Sequence, residues 1–153
     1  MDERINMRVG VNAAVVRDGH LLAVGFEKVG GPYLNLPGGG VEAGESVEEA
    51  LVREVREEAA TVEVDPCCSR GSIFLRHATR FYGPLRELGL IFRCELREGS
   101  RPRFPGSPDA DQVSVGWLPT EEVDAAGLRP RVGRRLIETI QEPSSGNIFV
   151  TEV

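Results

Sequence analysis

The run EEALVREVREEAA, residues 48–60, constrains this chain more than any other stretch. Its apolar residues recur at helical spacing. On an ideal wheel of ~100° per residue with Val47 at zero, Leu51 falls near ~40°, Val55 near ~80°, Ala59 near ~120°, Val52 near ~140° and Ala50 near ~300°. That arc is the buried face of an amphipathic helix. Ser46 stands immediately before it and Glu49 follows three residues later. This is a capping box, in which the hydroxyl takes a free amide proton and the glutamate reaches back. The helix is therefore expected over 46–59. Its second half carries Glu54, Glu57 and Glu58 close together, within roughly a 100° arc of the same wheel. Like charges three and four residues apart repel by roughly 0.2–0.5 kcal/mol per exposed pair.

A solvated face accounts for part of this charge. Glu49, Arg53 and Glu57 are spaced as an exposed i, i+4, i+8 ion-pair ladder, and Arg56 lies on the far side. Glu58 does not fit that account. At ~20° it points between Val47 and Leu51, where an uncompensated carboxylate costs several kcal/mol. Glu54 and Glu58, at i and i+4, also face each other across one turn. A hard divalent cation would resolve both conflicts, because Mg²⁺ takes oxygen ligands and carboxylates at this spacing can converge on it.

The segment before the helix, LNLPGGGVEAGES (34–46), begins as a short strand over Leu34–Leu36 and continues as a glycine-rich loop. A loop leading into a helix N-terminus can offer backbone groups to phosphate or metal. Elsewhere the pattern is mostly extended. MRVGVNAAVV (7–16) reads as a strand, Asp18-Gly19 as a hairpin turn and LLAVGF (21–26) as the returning strand, followed by a loop, EKVGGPY. TVEVDP, CSRGSIFL, RHATRFYG and ELGLIFRCELR (87–97) read as extended segments, GSRPRFPGSPDAD (99–111) as a loop and QVSVGWLP (112–119) as a strand. A short helix is expected behind a Thr120 cap, and an amphipathic helix over 130–142 with Val132, Leu136, Ile137 and Ile140 inward. Strands with interspersed helices imply an α/β sandwich with a mixed β-sheet. One domain is expected over 1–142. The segment 143–153 is a C-terminal tail in which NIFVTEV is either an edge strand, a partner contact or without structure.

Composition narrows the function classes. The net charge of −6 disfavours long nucleic acid, which needs a broad basic surface. No apolar run approaches the ~18–20 residues of a membrane span, and the charged N-terminus is unlike a secretory signal; a cytoplasmic protein is expected. Cys67, Cys68 and Cys94 show no C-x-x-C spacing and read as reduced thiols. With His20 and His77 the only histidines, a serine–histidine–aspartate mechanism has little to work with.

From Gly39 the chain reads G-x5-E-x7-R-E-V-x-E-E, with fixed residues Gly39, Glu45, Arg53, Glu54, Glu57 and Glu58 and an aliphatic residue at Val55. This resembles the signature of the Nudix hydrolase family, MutT-like, and the preceding LPGG is also common there. Two positions depart: Ala60 and Thr61 stand where the family has glycine and an aliphatic residue, which bears on how the helix ends. The resemblance implies a Nudix-like α/β/α sandwich and metal-dependent hydrolysis of a pyrophosphate bond in a nucleoside diphosphate linked to another moiety, of the nucleoside triphosphate, ADP-ribose or nucleotide sugar type. It implies that Glu54, Glu57 and Glu58 hold Mg²⁺ or Mn²⁺, that Glu54 also helps deprotonate water, and that Glu45 and Arg53 pair to orient the loop on the helix. The Gly38 carbonyl is a further implied ligand, and Asp111 or Asp109 the acidic ligand from a later loop. Divalent ions would neutralise the phosphates and lower the pKa of bound water.

The substrate is not specified by markers outside this box. RHATRFYGPLR gathers Arg76, Arg80 and Tyr82, which together with Gly39 are candidate substrate contacts: arginines fork onto phosphates and an aromatic stacks on a base. Ordinary strand and loop placement explains the same residues equally well. Phe26 and Tyr33 carry the same two readings, and Trp117 reads as core. The rival functions are a nucleotide-binding sensor without turnover and a diphosphate isomerase on the same scaffold. A homodimer is a further expectation from the resemblance.

Overall fold

The computed structural model describes residues 7–59, 64–66, 75–82, 85–129, 131–141 and 148–151, with side-chain environments over 7–59, 87–129 and 131–141. Ala60 and Thr61 lie outside the described residues, as do Cys67 and Cys68.

Strand β1, Met7–Arg17, turns through Asp18 and Gly19 into β2, His20–Lys28. Both turn residues have positive φ (49° and 74°), the left-handed pair that a two-residue hairpin requires. Arg17 then pairs with His20, and Val16 with Leu21. Strand β3, Gly31–Asn35, runs antiparallel to β2. Much of the EKVGGPY stretch, expected to be loop, is thus strand. The glycine segment differs from expectation in the same way: β4, Gly38–Gly40, pairs antiparallel with Gly10–Asn12 of β1. Glycine's weak strand preference hides this pairing from the sequence.

Helix α1 spans Val47–Ala59. Its capping box is formed: the Ser46 N–H donates to Glu49 Oε2 (2.7 Å) and the Glu49 N–H to Ser46 Oγ (3.2 Å). Glu49 therefore caps the helix and is not a rung of the exposed ladder. Beyond it, β5 (Val64–Pro66) and β6 (Leu75–Tyr82) both pair antiparallel with β7, Leu85–Leu96. Strand β7 runs parallel to β1 from Met7↔Arg86 to Val15↔Cys94, which makes the sheet mixed. Strand β8, Gln112–Pro119, pairs antiparallel with β2.

A 3-10 turn, Thr120–Glu122, follows where a Thr120-capped helix was expected. Pro119 holds the cap position without a side-chain acceptor, and the Thr120 N–H donates instead to the Gly19 carbonyl at 2.9 Å. Strand β9 (Leu128–Arg129) pairs parallel with β3, and α2 spans Gly133–Gln141. Val132 and Leu136 are buried as expected, whereas Ile137 and Ile140 are only half-buried and Thr139 takes an inward position. Strand β10, Ile148–Thr151, runs parallel beside β6, so part of the 143–153 segment is built into the sheet edge.

The two helices cover opposite faces. Val11, Ala13 and Val15 of β1 pack with Leu90, Phe92 and Cys94 of β7 against Ala50, Leu51, Val55 and Ala59 of α1. Ala14 and Ile91 point the other way and join Leu36, Leu128, Val132 and Leu136 beneath α2. This alternation is the strand period of two, and it yields the expected α/β/α arrangement. Trp117 departs from its core reading: it is 37% exposed, with the Arg17 guanidinium 5.9 Å above its ring.

Candidate active site

The site lies where α1 faces β4. Glu58 is 5% exposed, as its position on the wheel requires. Its Oε2 accepts the Gly38 N–H at 2.8 Å. Burial pushes its carboxyl up to about 8, against the effect of that hydrogen bond; the nearby charges of Asp109, Glu54 and Glu57 raise it further. Glu54, one turn earlier, sits directly over Gly39. A Cβ on Gly39 would collide with the Glu54 carboxyl group, and one on Gly38 would collide with the Val11 carbonyl oxygen. Gly39 thus lets the strand approach the acidic helix face, and Gly38 lets it lie close against β1, approaches that only glycine permits. Burial also raises the Glu54 carboxyl, while its pairing with Arg53 opposes the shift.

Glu45 and Arg53 form the expected pair. Arg53 Nη2 lies 2.6 Å from Glu45 Oε1 and Nε lies 3.0 Å from Glu45 Oε2, a bidentate fork. Arg53 Nη2 also donates to the Gly40 carbonyl at 3.1 Å, and Nη1 to Glu54 Oε1 at 2.8 Å and Glu57 Oε2 at 3.4 Å. Glu45 in turn accepts the Glu42 N–H at 2.7 Å. The Arg53 guanidinium, followed by that N–H, holds the Glu45 carboxyl below the usual range. One guanidinium thus ties the glycine strand, the loop and the helix together.

The late loop approaches from β8. Asp109 is the strongest like-charge influence on Glu58 and also acts on Glu54. Asp111 is placed otherwise: it has a positive φ of 71° and its carbonyl accepts the Glu27 N–H at 2.9 Å. Gln112, which sequence reasoning missed, is 6% exposed and donates from Nε2 to the Glu58 carbonyl at 2.8 Å. That contact joins residues 54 positions apart, so no local pattern announces it.

Among the described residues, no group of three or more acidic, histidine or cysteine side chains stands close enough together to hold a metal ion. Arg53 currently engages Glu54 and Glu57. The donor set nevertheless fits a hard cation in kind, with oxygen ligands on one face and a buried Glu58 carboxyl whose hydrogen-bond partner among the described residues is the Gly38 N–H and no cation. Mg²⁺ commonly uses one or two carboxylates, with waters and substrate phosphates completing its shell, so a closed cage is not a requirement.

The NUDIX domain profile matches residues 6–140. This chain belongs to the NUDIX family. Nudix hydrolases are pyrophosphohydrolases that act on nucleoside diphosphates linked to another moiety. A Caenorhabditis elegans protein carrying the name nudix hydrolase 1 is 31% identical over 111 residues, 70% of this chain and 26% of that protein, so the chain spans about a quarter of that relative's length. Among solved structures, a NUDIX hydrolase from Nitrosomonas europaea superposes with a TM-score of 0.68 at 23% identity over 90% of each chain. A MutT NUDIX hydrolase from Burkholderia pseudomallei gives 0.67 at 24% identity, over 88% of this chain and 98% of that one. An ADP-ribose pyrophosphatase from Streptococcus suis gives 0.64 at 18% identity, over 95% and 98%. At these identities the likeness speaks for the Nudix fold. No helix among the described residues is long and apolar enough to cross a membrane.

The other sequence candidates of this Nudix domain are not gathered at the site by described side chains. Arg76, Arg80 and Tyr82 lie on β6, where Arg76 stands opposite Leu90 and Arg80 opposite Arg86; their side chains are outside the description. Phe26 and Tyr33 are buried and stack at 5.5 Å, with Arg129 4.4 Å over the Tyr33 ring. They read as packing. His20 is exposed, its Nδ1 against the Asp18 carbonyl.

Proposed function

We propose that this chain is a divalent-cation-dependent pyrophosphohydrolase cleaving a nucleoside diphosphate linked to another moiety. The observation that carries the reading is the buried Glu58 carboxyl, held by the Gly38 N–H beside Glu54 on the same helix face. To be ionised in this buried place, the group needs a compensating positive charge, which a divalent cation would supply. Glu54, Glu57 and Glu58 would hold Mg²⁺ or Mn²⁺, joined by the Gly38 carbonyl and by Asp109 in preference to Asp111. When bound, the ion supplies positive charge against the diphosphate and makes water more acidic.

The protein groups do the rest. Glu54, which stands over Gly39 on the acidic helix face, would take a proton from the attacking water. Glu45 fixes Arg53, and Arg53 fixes the position of Glu54 and of the Gly40 carbonyl. Substrates of the nucleoside triphosphate, ADP-ribose or nucleotide sugar type suit this chemistry, and one structural neighbour is an ADP-ribose pyrophosphatase. Arg76, Arg80, Tyr82 and Gly39 are the proposed substrate contacts. The test is incubation with Mg²⁺ and a panel of nucleoside triphosphates, ADP-ribose, nucleotide sugars and dinucleoside polyphosphates, with phosphate products assayed. Turnover of at least one is the expected result. Binding without turnover of any would replace the enzyme reading with that of a nucleotide sensor.

A further inference from the structure

Helix α1 carries the proposed ligands, and its last carbonyls have no partner within the helix itself. Two of them are taken by the later loop: the Ala59 carbonyl accepts the Arg103 N–H at 3.1 Å and the Glu58 carbonyl accepts Gln112 Nε2 at 2.8 Å. Arg103 and Gln112 lie on either side of Asp109 in the chain. Gln112 also holds Asp109 at two points. Its backbone N–H donates to the Asp109 carbonyl at 3.1 Å, and its side-chain Oε1 accepts the Asp109 N–H at 3.4 Å. Both polar atoms of a buried side chain are therefore committed, one to the acidic helix and one to the acidic loop. We propose that Gln112 is a positioning residue that sets the Asp109 carboxylate against Glu54 and Glu58 and thereby completes the cation site. This inference rests on the proposed function above.

The chemistry of the side chain makes the role specific. A carboxylate at 112 could accept from Asp109 but could not donate to a carbonyl. An apolar side chain would leave the buried Glu58 carbonyl without that donor. Asparagine, one methylene shorter, cannot span both contacts. A residue that orients a ligand in this way commonly controls metal affinity by 10–100-fold.

The experiment titrates Mn²⁺ alone into the full chain and reads free Mn²⁺ by electron paramagnetic resonance, for wild type, Gln112→Met, Asp109→Asn and the double variant. Expected is a Kd weakened roughly tenfold by Gln112→Met and no further weakening when it is added to Asp109→Asn, because the effect passes through that carboxylate. With substrate, kcat should fall while KM stays close to wild type. Gln112→Asn carries the same test should the methionine variant not fold. Folded Gln112 variants with wild-type Mn²⁺ affinity, or fully additive effects in the double variant, would overturn the positioning role alone. Absence of Mn²⁺ binding by the wild type would overturn the cation site and this role together.

Discussion

The Gly38 amide donates to the Glu58 carboxyl across the interface of β4 and α1, at 2.8 Å, and is its hydrogen-bond partner among the described residues. Its pH consequence follows from linkage. The folded-state pKa of Glu58 is raised to about 8 from an ordinary 4.5. Between those values the native state binds more protons than the unfolded one, so stability falls as pH rises. The metal-free protein should therefore lose on the order of a few kcal/mol across pH 4.5–8 from this group. Glu45 and Glu49, with lowered pKa values, act in the opposite sense and only below about 4.5. Glu58→Gln keeps an acceptor for Gly38 and should flatten the decline. Mg²⁺ should raise the melting temperature more at pH 8 than at pH 5, since the ligand must shed its proton. Denaturant melts of both proteins across that range, with and without Mg²⁺, decide the point.

Glu57 is exposed and touches only Arg53 among its described contacts, at 3.4 Å. Its replacement by glutamine should leave the fold unchanged. Activity should nevertheless drop at least ~100-fold, the scale for losing an electrostatic group that acts on the transition state. Near-normal kcat/KM in Glu57→Gln would remove it from the ligand set.

Gly39→Ala tests the close approach of strand to helix. The added methyl meets the Glu54 carboxyl group, so one of the two must move, at a cost of about 1–3 kcal/mol for such overpacking. Activity should fall by more than stability alone accounts for, because Glu54 itself is displaced. Mn²⁺ affinity and melting temperature measured on the same sample separate the two effects.

Arg53→Lys retains the charge and discards the fork. The two bonds to Glu45 at 2.6 and 3.0 Å, and that to the Gly40 carbonyl, cannot all be kept by one ammonium group. The expected outcome is a loss of roughly tenfold or more in kcat, on the scale by which supporting contacts tune a metal site. A lysine variant as active as the parent would mean the fork is dispensable.

Ser46→Ala removes the hydroxyl that accepts the Glu49 N–H. A cap of this kind contributes about 1 kcal/mol, which corresponds to roughly 2–4 °C in melting temperature for a domain of this size. The active-site contacts described above do not involve Ser46 Oγ, so kcat/KM should be nearly unchanged.

The reach of the sequence follows the range of each interaction. Glu58 is inward because helical period fixes direction, and that required only the residues from Val47 onward. The capping box and the Asp18-Gly19 turn are equally local. Glu49 fitted both a cap and an ion-pair ladder on paper; the cap formed because the Ser46 amide otherwise lacks a partner at the helix start. The Gly38–Gly40 strand was obscured since glycine carries no side-chain pattern at all. Asp109 could not be separated from Asp111 by spacing, and Gln112 could not be seen, because both depend on a loop folding back onto a helix some fifty residues earlier. Trp117 looks like core by residue type, yet on β8 it stays partly exposed, with the Arg17 guanidinium over its ring.

Strand β1 is a party wall with two tenants: Ala13 is read by the layer that holds the acids and Ala14 by the layer under α2. Adjacent positions in the chain thus report on separate compartments. Repacking around Ala14 and Leu136 offers a way to toughen the protein from its back side while the chemistry on the front stays as it is.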